Sequence, residues 1–460
     1  MQWHPDPQRL ARPVYLSLAE QFTQAIQTGR LGAGTRLPPQ RALADRLGVS
    51  LQTVSRAYDE LGRRGMIAGE VGRGTFVLPQ SAEAPAPYLN RRTGGVVDLS
   101  ILKPVTDALH LQKMREGLAW LAENLPPQAA LSFRPTSVMP EHLKTAAAWL
   151  ARGGIDVAPE QIVITDGATP AITTAVMTAV PPGGTLAAAE LTHHLLQPLT
   201  RYLGLHLEPL PLDDHGIVPA ALEQAARTKG LSALYLQPAA INPRGVLSPA
   251  DRRAEIVAIA RRHNLALIEN DILNQLLTDR PTPYAALAPE RVLHINGFTK
   301  ISLPGLRVAY LTLPERLARA AANRHLVTNW MATPIMVELL GRWIADGTMT
   351  GLIGWQRQAL AERHAIARAV LPEGLCRSHA QALHLWLELP AGIREEEFVA
   401  MAHRRGVAVA SSQSFRIGGQ PGPGALRIAL GPPSRDDLSR GLATVAELLA
   451  ESDEPILPLV

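Results

Sequence analysis

The 460-residue sequence predicts two folded parts: a small helical head closed by a β-hairpin, and a large α/β domain with a mostly parallel sheet. Three observations predict this. Apolar residues recur at helical spacing through the first 63 positions, and two short β-type runs follow over 66–77. Residues 79–95, rich in Pro and Ala, have the composition of a semi-extended linker. Beyond them, short apolar β-type runs alternate with amphipathic segments, the pattern of strands joined by helical crossovers. The chain is too long for one ordinary core. The expected boundaries are 1–78 for the head, 79–95 for the linker and 96–460 for the large domain.

In the head, Val14, Leu18, Phe22, Ala25 and Ile26 make the stripe of a first helix. Glycines at 29, 32 and 34 end it. Pro38-Pro39 is expected to open a second helix running to about Leu47, because a first turn tolerates proline. After the Gly48-Val49 turn, Ser50 is a good N-cap for a third helix with the stripe Val54, Ala57, Tyr58 and Leu61. Met66 to Val77 reads as a hairpin around Val71-Gly72-Arg73-Gly74. Helices joined by a short glycine turn and followed by a hairpin form a winged helix-turn-helix. Gln52, Thr53 and Arg56 point away from the apolar stripe, as side chains that reach base edges or phosphates must. Arg73, at the hairpin tip, is placed to reach a flanking phosphate or the minor groove.

Charge agrees with this. Residues 1–78 hold ten Arg against six Asp and Glu, a net +4, which equals the net charge of the whole chain. All the positive excess therefore belongs to the head, the footprint of a nucleic-acid partner. An apolar content of 46% with 19% charged residues describes a folded globular chain and sets disorder aside. One cysteine, Cys376, forbids an intrachain disulfide. No signal pattern and no bilayer-length apolar run is present, so the expectation is a cytoplasmic protein without a membrane partner.

The runs Leu37-Pro38-Pro39-Gln40-Arg41-Ala42-Leu43-Ala44, Thr53-Val54-Ser55-Arg56-Ala57-Tyr58 and Gly72-Arg73-Gly74-Thr75-Phe76-Val77 resemble the reader head of GntR-type repressors. The resemblance implies DNA contacts by Arg41, Ser50, Gln52, Thr53 and Gly72. Leu51 stands where many GntR relatives carry an arginine, so no base preference is carried over.

In the large domain, strands are expected at Gln161–Thr165, Thr185–Ala189, Ala233–Gln237, Ala266–Glu269 and Val292–Asn296. Chemistry gathers at their carboxyl ends, where parallel sheets place ligands. Thr165-Asp166-Gly167-Ala168-Thr169 ends a strand and starts a helix, whose exposed amides suit a phosphate. Ile241-Asn242-Pro243-Arg244-Gly245 ends another strand and offers an amide. Glu269-Asn270-Asp271 ends a third. Lys300 follows a fourth, seven residues before Arg307 in Lys300-Ile301-Ser302-Leu303-Pro304-Gly305-Leu306-Arg307. A lysine amine can form a Schiff base with an aldehyde, and a guanidinium can hold a phosphate through paired hydrogen bonds.

Residues from about 96 to 450 resemble fold-type I aminotransferases that use pyridoxal 5'-phosphate. Together with the head, the chain resembles the MocR subfamily of GntR regulators. The implied fold is a winged helix-turn-helix plus an aminotransferase-like α/β domain with a mostly parallel central sheet and a smaller C-terminal α+β part. By the same resemblance Lys300 is the Schiff-base lysine, Arg307 a phosphate ligand, and Gly167, Ala168 and Thr169 the phosphate cradle. Asn242 would bond the ring hydroxyl, His194 would stack on the ring, and Arg427 would grip the carboxylate of an effector. A homodimer would present two heads to operator half-sites on double-stranded DNA.

Five positions depart from the enzymes, one of them His194, whose smaller imidazole stands where the family has a ring-stacking tyrosine. Asn270 replaces the aspartate that faces the pyridine nitrogen and keeps the ring an electron sink. Asp271 lies one residue on, which points it to the other face of a strand. Ile272 replaces a tyrosine, and Gly297 replaces a hydroxyl residue three positions before the lysine. Phe133 stands where a tyrosine reaches the phosphate from the partner subunit. The expectation is a transcriptional regulator that senses an amine or amino acid through the cofactor, without efficient turnover. Its rivals are an active aminotransferase with a DNA-binding head, a regulator whose pocket binds another ligand, and a head that mediates protein contacts.

Overall fold

The structure is a computed structural model that describes residues 3–27, 30–63, 66–70, 74–78, 95–131, 133, 139–240, 242–418, 422 and 424–453. The chain divides into two compact units, 1–91 and 92–460.

The first unit holds α1 (Val14–Gln27), α2 (Gln40–Leu47), α3 (Leu51–Arg63), β1 (Ile67–Glu70) and β2 (Gly74–Val77). Its stripes meet as their spacing requires: Leu18, Phe22, Leu43, Val54, Ala57 and Leu61 are all buried in one core. Gly48 closes α2 in the left-handed conformation at φ 65°, which glycine adopts without a steric penalty. The prolines stand before α2 rather than inside it. Pro39 is the extended N-cap residue, and the Pro38 carbonyl accepts a 2.8 Å bond from the Tyr58 hydroxyl, which ties the entry of α2 to α3. β1 and β2 pair antiparallel. The tip residues Gly72 and Arg73 lie outside the described residues.

The second unit opens with β3 (Val97–Asp98). Its main sheet contains β4 (Ile162–Thr165), β5 (Thr185–Ala189), β6 (His206–Leu210), β7 (Leu231–Leu236), β8 (Ala266–Asn270), β9 (Val292–Gly297) and β10 (Ala309–Thr312). The order is β4-β10-β9-β8-β7-β5-β6. Only β10 runs antiparallel to its neighbours. Three of these strands, β4, β9 and β10, are buried end to end, as expected for a sheet covered on both faces. One face packs on α4 (Ala168–Ala179), the other on α5 (Ala250–Arg262) and the helices around Trp149 and Trp343.

Two strands were illegible in the sequence: β6, whose His-Leu-Glu-Pro-Leu run holds a proline, and β10, which follows Arg307 with one residue between. β7 ends at Leu236, before Pro238, so Asn242 sits in the following loop rather than at the strand end itself. A smaller four-stranded antiparallel sheet is built around β11 (His384–Glu388) and β12 (Ala425–Ala429). Among the described residues no helix is long and apolar enough to cross a membrane.

Candidate functional site

In the head, the start of α3 is organised by Ser50, whose Oγ accepts the Thr53 amide N–H at 3.1 Å. Gln52 and Arg56 are exposed beside it, and the Arg56 guanidinium lies 4.0 Å from the centre of the Tyr15 ring. These residues line an open groove with Arg12, Val14 and Tyr15. Stacking on Tyr15 restrains a long side chain without consuming its donors. Arg41 is exposed on α2, and Leu51 is 47% exposed. Arg12 and Tyr15 were not anticipated, because their apposition to α3 depends on how α1 packs across it.

In the second unit, β4 leads through Asp166 into Gly167, which has φ 91° and caps α4. A Cβ placed on Gly167 would stand 3.2 Å from the Arg307 guanidinium. Glycine is therefore favoured twice, for its positive-φ backbone and because a Cβ would press on the Arg307 guanidinium. Arg307 itself holds the left-handed conformation at φ 47° and donates to the Asp166 carbonyl at 3.1 Å. The Asp166 carboxylate accepts the Thr333 amide N–H at 2.9 Å, fixing this loop from behind. Ala168 and Thr169 form the first turn of α4, so their amide N–H groups belong to the unpaired donors of that helix start.

Lys300 follows β9 and is half-buried. Burial, then the Arg427 and Arg307 charges, lower its amine to about 8. Its ammonium donates to the Leu102 carbonyl. Arg427, on β12, is 5% exposed; it donates to Asn242 Oδ1 at 2.9 Å and to the Ser100 carbonyl, and stacks 4.6 Å over Phe415. Its Nε is buried without a partner. Because Asn242 Oδ1 is occupied by Arg427, its NH2 is the end that can donate. His193 and His194 lie 4.8 Å apart, with Phe415 edge-on to His194. Burial, the His194 charge and the charges of Lys300 and Arg427 push His193 down to about 3. Burial and the charges of Arg427 and Lys300 push His194 to about 4. Both imidazoles are neutral at pH 7.

Asn270 and Asp271 part as the pleat demands. Asn270 Nδ2 donates to the Tyr235 hydroxyl at 2.7 Å, while its Oδ1 is buried with no partner. Asp271 turns to the other side, where Oδ2 lies 3.4 Å from His294 Nε2. Glu269 accepts the amide N–H groups of Tyr284 and Ala285 there, each at 2.9 Å, and burial followed by the Asp271 charge raises its pKa. Asp271 is therefore committed elsewhere. Two other departures are coupled: a Cβ on Gly297 would meet Ile272 Cγ2 at 3.0 Å. Ile272 fills the space that a side chain at 297 would take. Phe133 is 76% exposed, its ring 5.0 Å from that of Trp330.

Lys300, Arg307, Gly167, Asn242, Arg427, His193 and His194 thus surround one region. Phe415, Thr333 and the Ser100–Leu102 backbone join it without any motif that announces them. The arrangement offers a half-buried amine, two guanidinium groups and a helix start, which together suit an anionic ligand with an electrophilic carbon.

Comparison with known proteins agrees with both units. Residues 14–77 match the model of bacterial regulatory proteins of the gntR family, and residues 97–444 match aminotransferase class I and II. The chain is 26% identical to the HTH-type transcriptional regulator YdeF of Bacillus subtilis, over 98% of this chain and 97% of that protein. It is 29% identical to the pyridoxine biosynthesis transcriptional regulator PdxR of Corynebacterium glutamicum, over 77% and 78% of the two chains. It is 26% identical to the probable rhizopine catabolism regulatory protein MocR of Rhizobium meliloti, over 80% and 78%. Among solved structures, the kynurenine aminotransferase of Pyrococcus horikoshii superposes with a TM-score of 0.71 at 21% identity, covering 79% of this chain and 93% of that one. That likeness bears on the fold.

Proposed function

From the premise that the chain belongs to the aminotransferase class I and II family and is a transcriptional regulator with a gntR-family head, we propose that its large domain holds pyridoxal 5'-phosphate at Lys300 and senses an amino-group-bearing effector with little turnover. The observation that carries this is the half-buried Lys300 amine under the influence of both the Arg427 and Arg307 charges. When bound, the cofactor supplies an aldehyde that condenses reversibly with primary amines.

The residues fit it. Gly167 leaves room for Arg307 beside the start of α4, where a phosphate would meet amide N–H groups and a guanidinium. Asn270 Oδ1 is a buried acceptor in need of a donor. An amine lowered to about 8 has a substantial neutral, nucleophilic fraction at pH 7–8. Arg427 offers its open Nε to an effector carboxylate, and a fuller grip requires that it release the Ser100 carbonyl. Asn270 can accept from a ring N–H but supplies no negative charge opposite it, so the ring is a weaker electron sink than beside an aspartate, which favours sensing over transamination.

The head would bind operator DNA through Arg41, Ser50, Gln52, Thr53 and Arg56, with Gly72 and Arg73 of the wing. Effector binding would shift the large domain between two arrangements in proportion to its differential affinity for them. A homodimer is supported by apolar area left in solvent at Leu131, Phe133, Val327 and Trp330. The test is a visible-absorption titration of the protein with pyridoxal phosphate, beside Lys300→Ala. A lysine-dependent band that shifts with candidate amines supports the reading; no band at saturation ends it and leaves a pocket for another ligand. Conversion of the bound aldehyde to its amine form, with release of a keto acid, would favour the active aminotransferase instead.

A further inference from the structure

The carboxyl end of β8 holds an unusual pair. Asn270 is the last residue of that strand, and Tyr235 sits on the adjacent β7, both almost wholly buried. The amide uses Nδ2 on the phenolic oxygen at 2.7 Å, and Oδ1 is left buried without a donor. An amide is planar, so engaging one end decides where the other points. On its far side β8 pairs with β9, and the register partner of Asn270 there is Ile295, whose side chain offers no donor. The site just beyond these strand ends is where a ligand of a parallel sheet lies. A buried, unsatisfied carbonyl oxygen carries a desolvation penalty that a ligand N–H would remove.

We infer that Tyr235 is a positioning residue: its hydroxyl fixes the Asn270 amide with the oxygen toward the pocket, so that Asn270 accepts a hydrogen bond from a protonated ring nitrogen of the cofactor. This rests on the cofactor reading above. It adds that the loss of the aspartate does not by itself leave the ring nitrogen bare, because the hydroxyl presents the amide as an acceptor. The reverse polarity, with Tyr235 donating to Oδ1 and Nδ2 turned to the ring, requires an unprotonated nitrogen and is the competing state.

The experiment uses the full chain loaded with pyridoxal phosphate carrying nitrogen-15 in the ring, read by NMR at pH 7, with the visible band recorded on the same samples. The native protein shows a protonated ring nitrogen, recognised by its one-bond N–H splitting. Tyr235→Phe keeps the visible band, loses the splitting, and weakens cofactor binding about threefold to tenfold, the range for one neutral hydrogen bond. Asn270→Asp in the Tyr235→Phe background restores the proton, since a carboxylate is an acceptor from either end; a merely structural role for Tyr235 would not give this rescue. A bare nitrogen in the native protein, or an unchanged splitting in Tyr235→Phe, overturns the inference while the visible band leaves the cofactor reading standing. Absence of the band in the native protein removes both.

Discussion

The two ends of the candidate pocket differ in what they have kept. At the proposed phosphate end, Arg307 and Gly167 are closely packed: a Cβ on residue 167 would press on the guanidinium at 3.2 Å, and the Lys300 amine feels the Arg307 charge. At the ring end, Asn270 replaces a carboxylate, Ile272 fills the space above Gly297, and Asp271 is drawn to His294 on the other face. On the proposed reading, one end would capture an anion and an aldehyde. The other lacks the charge that would drive carbanion chemistry. Binding and turnover are separable demands on one fold, and on the proposed reading the first is better provided for here than the second.

The largest expected effect tests the retained end. Lys300→Ala abolishes the visible band formed with pyridoxal phosphate, because it removes the amine that would condense with the aldehyde; a persistent band would move the covalent site elsewhere. Next is Arg307→Ala, which removes a charged hydrogen-bond donor worth about 1.5–3 kcal/mol. Equilibrium titration should show the cofactor bound roughly ten- to a hundredfold more weakly, and unchanged affinity would break the assignment of this end to phosphate. The ring end is sharpened by Asn270→Asp. Placing a carboxylate opposite the ring nitrogen should raise single-turnover conversion of a bound amino acid by about tenfold or more. An unchanged rate would show that the loss of this charge is not what limits chemistry.

The pH dependence is smaller and concerns the wall between the ends. His193 and His194 are held down to about 3 and about 4, chiefly by burial. A histidine whose folded value lies below its unfolded one, about 6.5, contributes full stability above the unfolded value. That stability is lost as pH falls from about 6.5 towards the folded values. The melting temperature of the protein should therefore drop between pH 6.5 and pH 4, and less so in His193→Phe. In the head, Arg56→Ala should reduce the slope of log affinity against log salt by about one, measured on operator DNA by fluorescence anisotropy.

Much of the fold was legible. The stripes of α1 and α3 and five of the seven main-sheet strands follow from periodicity alone, because burial on one face leaves a repeat of 3.6 and burial on both leaves an unbroken apolar run. β6 escaped because Pro209 reads as a breaker, though at an edge a missing N–H costs little. β10 escaped because a strand antiparallel to its neighbours needs no helical crossover to announce it. Pro38-Pro39 stands just before α2 rather than in its first turn, one to two residues from the expected start, since the residue before a proline is itself pushed out of the helical region.

By itself the sequence determined which chemical groups the chain owns: an amine seven residues before a guanidinium, a glycine at a helix start, an amide where a carboxylate is expected, and a basic head. It also determined that Asn270 and Asp271 face opposite ways, because alternation along a strand is local geometry. Only the tertiary structure decided what those groups do to one another. That Arg427 holds Asn242, that Arg307 rests against Gly167, that Ile272 occupies the space over Gly297, and that Tyr235 claims one end of the Asn270 amide are contacts between segments 25 to 185 residues apart. No local spacing encodes such contacts; they exist because burying the sheet on both faces brings its strand ends together at one place.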